Sequence, residues 1–197
     1  LSYFGYWTGR GMGSFYTSCP MIISHRGVTE KFPENTIEAY KDSVKMGFKG
    51  IELDVLASKD GIVYCSHNHQ LERETKHQGY IHQIISEKID EMKTGKYSHP
   101  DNQTLIPRLT DVLVGLPYNI RLNIEIKFYS PFDFSTISIL MREIIKIKKR
   151  QPILISSFNP FIVFYARWFI PNIKTGYLVE SMSMIKWMHF AHPDCLH

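Results

Sequence analysis

The chain has 197 residues, 44% hydrophobic and 21% charged, with 23 basic against 19 acidic side chains and a net charge of +4. This is the make-up of one ordinary soluble domain near the lower length limit of a full (β/α)8 barrel, roughly 200 residues. The basic residues are spread out except for Lys146, Lys148, Lys149 and Arg150, so nothing demands nucleic acid, and three cysteines (Cys19, Cys65, Cys195) without a CxxC pair fit neither a disulfide scaffold nor a zinc site and favour a reducing, cytoplasmic compartment.

No apolar run reaches the ~18 residues of a transmembrane segment; the longest, Phe161 to Ile170, is broken by Arg167. Residues 1–20 read as an irregular segment rich in glycine and aromatics such as Trp7, Phe15 and Tyr16. Its glycines at 9, 11 and 13 are no dinucleotide fingerprint, because no strand precedes them and no helix follows. A start at Leu1 rather than Met leaves room for upstream sequence.

From residue 21 to 197 the chain alternates strands with helices. Met21-Ile22-Ile23 predicts a strand running into Ser24-His25-Arg26-Gly27. Asn35 is placed to cap a helix, with Glu38 three residues on, an Ile37, Tyr40, Val44 stripe and a stop at Gly47. Strands follow at Gly50 to Leu56 and, past a turn at Lys59-Asp60-Gly61, at Ile62 to His67. Residues 68–107 form a polar insertion holding four of the nine histidines, with one helix expected near 85–95. Thr110 is expected to cap a helix through Leu116, and Arg121 to Phe128 is a strand. An amphipathic helix spans Phe134 to Lys149, its basic end suiting the helix dipole. The series closes with strand Ile153 to Ser157, helix Pro160 to Ile170, strand Lys174 to Val179, helix Met182 to Phe190 and the fragment Cys195-Leu196-His197. The expected architecture is a (β/α)8 TIM-type barrel with a parallel sheet, C-terminally incomplete before its eighth strand.

Charges interrupt these strands in a pattern. A period of two puts Glu52 and Asp54 on one face, opposite Ile51, Leu53 and Val55, and gathers Asn123, Glu125 and Lys127 likewise. With the aliphatic set facing the helices, three carboxylates share the barrel interior. They need either a hard cation, Mg²⁺ or Ca²⁺, or structural salt bridges to Arg26, Lys127 or Arg121. His25 and His67 each end an apolar strand at the same mouth, where acid and base groups would act. His69, His77, His82 and His99 read as solvated, Cys65 as core, and Met182, Met184 and Met188 as helix packing. His189, His192 and His197 carry no signal.

The ordered motifs His25-Arg26-Gly27, Pro33-Glu34-Asn35-Thr36, Gly50-Ile51-Glu52-Leu53-Asp54-Val55, Lys59-Asp60-Gly61 and Ser66-His67 resemble the opening of the glycerophosphodiester phosphodiesterase family. Leu71-Glu72-Arg73-Glu74-Thr75, Ile106-Pro107-Arg108-Leu109-Thr110, Asn123-Ile124-Glu125-Ile126-Lys127 and Ser156-Ser157-Phe158 extend the resemblance over residues 21–180. It implies a barrel hydrolase that binds one divalent cation, Mg²⁺ or Ca²⁺, and cleaves small-molecule glycerophosphodiesters to sn-glycerol 3-phosphate and an alcohol. By the same resemblance Glu52, Asp54 and Glu125 are metal ligands, His25 and His67 the general acid/base pair, and Arg26 and Lys127 phosphate contacts. The attacking group it implies is the substrate's own 2-hydroxyl, giving a cyclic phosphate that water opens. Two departures stand out: Asn68 replaces the family's usual Asp, and the eighth strand with its pocket aromatic is missing. The rival expectations are a lysophospholipase D-type phosphodiesterase and a catalytically silent binding module of the same fold.

Overall fold

A computed structural model describes residues 7–16, 18, 20–147 and 151–197. The start of the irregular segment, Cys19 and the basic residues Lys148, Lys149 and Arg150 lie outside the described residues.

Strand β1 (Ile23–His25) leads through helix α1 (Ile37–Lys45) to a parallel neighbour β2 (Gly50–Ala57), with His25 beside Glu52. Thr36, not Asn35, caps α1: its Oγ1 accepts from the Ala39 amide at 3.3 Å. Asn35 sits instead at a left-handed φ of 57°, a region that asparagine tolerates better than most residues.

Strand β3 (Val63–Cys65) runs antiparallel to β2, with Val55 beside Cys65, and so departs from the expected all-parallel series. The connection between them is a tight turn in which the Ser58 amide donates to the Ile62 carbonyl and Gly61 takes φ +82°. A parallel return needs a dozen or more connecting residues, so a turn this short dictates a hairpin. The insertion then folds around helix α2 (Ser86–Ile89) and a two-stranded pair, β4 (Lys93–Thr94) with β5 (Thr104–Leu105). The helix expected near 85–95 is thus a single turn. Leu71, Ile81, Ile89, Met92 and Ile106 of this excursion build their own small core against Leu56 and Tyr64.

The alternation resumes with α3 (Leu109–Gly115), β6 (Arg121–Ile126), α4 (Ser135–Lys146), β7 (Ile153–Ser157), α5 (Pro160–Phe169), β8 (Lys174–Tyr177), α6 (Met182–Ile185), α7 (Met188–Ala191) and β9 (Cys195–Leu196). Thr110 falls inside α3 rather than capping it. The helix expected over 182–190 is two single turns, and within the first the Met184 carbonyl accepts from Tyr177 Oη at 3.3 Å. Six parallel strands in the order β1-β2-β6-β7-β8-β9, with β3 beside β2, form the wall of a (β/α) barrel. Ile51, Leu53 and Val55 of β2 and Leu122, Ile124 and Ile126 of β6 are buried in one core with Tyr40, Val112, Leu140, Ile162 and Ala166 of the helices. Strand alternation therefore turns Glu52, Asp54, Asn123 and Glu125 to the opposite face.

The irregular N-terminal segment is fastened to the ends from which the strands start. Arg10 pairs with Asp194 at 2.7 Å and donates to the Ile173 carbonyl, just ahead of β9 and β8. Arg121, at the start of β6, donates to the carbonyl of the buried Phe15 at 2.6 Å. Arg121 is thereby committed to the floor of the sheet and does not join the carboxylates. Among the described residues, no helix is long and apolar enough to cross a membrane.

Candidate active site

The β2/β6 register sets Glu52 beside Asn123 and Asp54 beside Glu125. Glu52, Asp54 and Glu125 are all buried, and one oxygen from each lies within 4.8 Å of the others. Three desolvated anions at this separation repel strongly, and the fold offsets only part of that charge. Lys127 Nζ stands 2.9 Å from Asp54 Oδ1 and 2.5 Å from Glu125 Oε1. Arg26 Nε is 3.1 Å from Asp54 Oδ2, while its Nη1 is shared with Glu34 at 3.0 Å. Burial would lower the Lys127 ammonium, but Asp54 and Glu125 hold it above its usual value, so it stays charged.

Glu52 is the carboxylate left over. One oxygen accepts from the Arg26 amide at 3.1 Å, and the other, Oε1, is buried without a partner. Burial first, and then the charges of Asp54 and Glu125, push the Glu52 carboxyl up to about 8. Burial raises Glu125 as well, against the pull of Lys127. An all-oxygen donor set with an unsatisfied buried oxygen and excess negative charge fits a hard divalent cation better than a soft one. Glu52, Asp54 and Glu125 are the residues that would hold it.

His25 borders this cluster, its Nε2 3.9 Å from Glu52 Oε2, with 70% of its side chain exposed. His67 arrives there by a different route from the one its strand-end position implied. It follows an antiparallel strand, and the Ser66 amide donates to the Asp54 carbonyl at 3.0 Å, which brings the next residue alongside the cluster. Both imidazoles lie in the field of Arg26, Asp54, Glu34 and Lys127. Partial burial lowers both below the ordinary histidine value; Arg26 and Lys127 push the same way and Asp54 opposes them. Each is therefore mainly neutral at pH 7 and able to accept a proton. Cys65 is buried in the core beneath, and burial drives its thiol far above the range of a nucleophile.

Asn35 is a site residue that its cap-like sequence context concealed. Its Nδ2 donates to Asp54 Oδ2 at 2.9 Å, and its Oδ1 accepts from the Asp54 amide at 3.0 Å and from Tyr40 Oη at 2.9 Å. Glu34 was likewise unassigned and holds Arg26 in place. Asn68 lines the cleft beside His67. His69 and His82, expected to be solvated, are half-buried and packed on the Tyr129 ring at 4.5 and 3.6 Å between centroids, because the insertion closes over them. His99 bonds to the Thr29 carbonyl at 3.0 Å, and His192 is buried against Trp7 at 5.5 Å.

The model of the glycerophosphoryl diester phosphodiesterase family matches residues 25–188. A glycerophosphodiester phosphodiesterase of Caldanaerobacter subterraneus is 31% identical over 174 residues, 87% of this chain and 71% of that protein. One from Bacillus altitudinis is 31% identical over 168 residues, 82% of this chain and 67% of its own length. Among solved structures, an Oleispira antarctica phosphodiesterase in complex with the product sn-glycerol-3-phosphate superimposes with a TM-score of 0.81 at 27% identity, covering 90% of this chain and 74% of that one. A glycerophosphodiester phosphodiesterase from Thermotoga maritima gives 0.67 at 27% identity over 90% and 73%.

Proposed function

Because the chain belongs to the glycerophosphoryl diester phosphodiesterase family, we propose that it hydrolyses glycerophosphodiesters to sn-glycerol 3-phosphate and an alcohol with the help of one divalent cation, Mg²⁺ or Ca²⁺. The observation that carries this reading is the buried triad Glu52, Asp54 and Glu125, with one unpartnered carboxylate oxygen, beside two mainly neutral imidazoles. A bound cation would supply Lewis-acid neutralisation of the phosphodiester's charge. Arg26 and Lys127, both facing Asp54, offer the positive field that orients an anionic phosphate. Of His25 and His67, one takes the proton of the attacking hydroxyl as its oxygen bonds to phosphorus. The other, which must be in its protonated imidazolium form at that moment, gives a proton to the alcohol oxygen as the P–O bond to the alcohol breaks, leaving a cyclic phosphate. Water then opens the ring with the two imidazoles exchanging roles, which yields sn-glycerol 3-phosphate and restores both to their starting states.

The cleft beside His67 is bordered mostly by polar side chains, among them Glu34, Asn35, Ser66, Asn68 and Gln70. A silent binding module would have no use for five converging acid, base and ligand positions.

The test is release of glycerol 3-phosphate from glycerophosphoethanolamine and glycerophosphoglycerol by the purified chain, before and after EDTA, and again with Mg²⁺ or Ca²⁺ restored. Release that the chelator stops and a cation restores is the expected result. A folded, cation-loaded protein that releases nothing from either diester overturns the reading.

A further inference from the structure

A cavity of about 370 Å³ is lined by His67 and by its neighbour Asn68. Its remaining wall includes His69, Gln70, Arg73, Tyr80 and Tyr129. The volume is in the range of small-ligand sites, roughly 300–1,000 Å³. Resting on the functional reading above, we propose that this cavity receives the alcohol moiety of the substrate and selects a polyol, uncharged or anionic, over a quaternary amine.

The position argues first. The phosphate must lie against the carboxylate cluster with Arg26 and Lys127, and His67 marks the boundary between that cluster and the cavity. A diester spanning the boundary places its phosphorus on one side and one of its two ester substituents on the other.

The chemistry of the wall then decides which substituent fits. None of the described residues lining the cavity is acidic, and Arg73 supplies a cation. The nearby carboxylate that acts on His69 and His82 is Asp133, and it is spent on the Tyr129 and Ser135 amides and the Ser135 hydroxyl. Three aromatic side chains, Tyr80, Phe128 and Tyr129, would otherwise make a cage for a quaternary ammonium. Here the Tyr129 ring is already taken by His82 and His69, at 3.6 and 4.5 Å, so the cage is incomplete and carries the wrong charge. What remains is hydrogen-bonding capacity: the amide of Asn68, the guanidinium of Arg73, and the amide of Gln70, which also donates to Tyr80 Oη at 3.3 Å. Hydroxyl groups satisfy those atoms and a trimethylammonium group cannot.

The experiment compares kcat/KM for glycerophosphoinositol and glycerophosphocholine, read as glycerol 3-phosphate released by the cation-loaded chain. The inositol diester is expected to lead by about tenfold, which corresponds to ~1.4 kcal/mol of discrimination. In Arg73→Glu the ratio should fall severalfold, with the choline diester gaining. A second variant, Tyr80→Ala, widens the cavity mouth without altering charge, and should lower kcat/KM for the inositol diester while leaving the sign of the preference intact. Equal turnover of the two diesters, or a ratio that Arg73→Glu leaves unmoved, overturns the assignment while leaving the phosphodiesterase reading standing. Turnover of neither diester overturns that reading, and the assignment with it.

Discussion

Asn35 and Asp54 hold each other by two hydrogen bonds, Nδ2 to Oδ2 at 2.9 Å and the Asp54 amide to Oδ1 at 3.0 Å. The clamp joins the loop after β1 to the middle of β2 and leaves Asp54 Oδ1 turned toward Lys127. It fixes the orientation of a candidate ligand from a residue that is not itself a ligand. Asn35→Ala should therefore weaken cation affinity and turnover by about 10- to 100-fold, the usual effect of losing a group that orients a ligand. Isothermal titration with Mn²⁺, run beside the activity assay, checks this. Unchanged affinity in a folded variant would reduce Asn35 to a structural residue.

Glu52 is the carboxyl of the triad with the fewest compensating partners, with Oε1 unpartnered and the carboxyl raised to about 8. Glu52→Gln keeps the shape and the neutral state that burial favours near pH 7 when no cation is bound, so thermal stability in the absence of cation should hold. Chelator-sensitive turnover should drop by on the order of a thousandfold, since several kcal/mol of transition-state stabilisation go with the ligand. A melting curve and a glycerol 3-phosphate assay on the same sample separate the two effects. Wild-type turnover in this variant would remove Glu52 from the ligand set.

The carboxylate cluster was legible because alternation along a strand is a local property: Glu52 with Asp54, and Asn123 with Glu125 and Lys127, share faces whatever the rest of the chain does. What depended on tertiary contact was harder to read. Asn35 has the residue type and spacing of a helix cap, and only the approach of β2 draws its amide to Asp54 and leaves the cap to Thr36. His69 and His82 sit in a segment without periodicity, which reads as solvated until the insertion wraps its own core around Tyr129 and Tyr64. The direction of β3 was available in the five-residue turn from Ser58 to Ile62, too short for any crossover, and was obscured by the repeated strand-helix rhythm around it.

His67 reaches the site without touching the carboxylates directly, so its loss should affect proton transfer and not cation binding. His67→Gln is expected to lower kcat by about 10² to 10⁴, with cation affinity unchanged within twofold by the same titration. A parallel loss of cation affinity would show that His67 supports the cluster and does not move a proton.

Asp194 anchors the N-terminal segment, accepting from Arg10 and Arg167 and from the amides of Arg10 and Thr175. Burial alone would raise its carboxyl, yet these donors, Arg10 foremost, outweigh it and hold Asp194 at about 2. A depressed carboxyl stabilises the fold fully above its unfolded value near 4 and loses that contribution as pH falls from there toward 2. The amount at neutral pH is on the order of 1–2 kcal/mol, because the site is flanked by half-buried groups that water partly screens. Asp194→Asn should lower Tm at pH 7 by roughly 2–6 °C, and the gap from the parent protein should narrow as the pH of the melt is brought from 5 to 3. A gap that stays constant over that range would mean the carboxylate's charge contributes nothing and the segment is held by Phe15 and its backbone contacts instead.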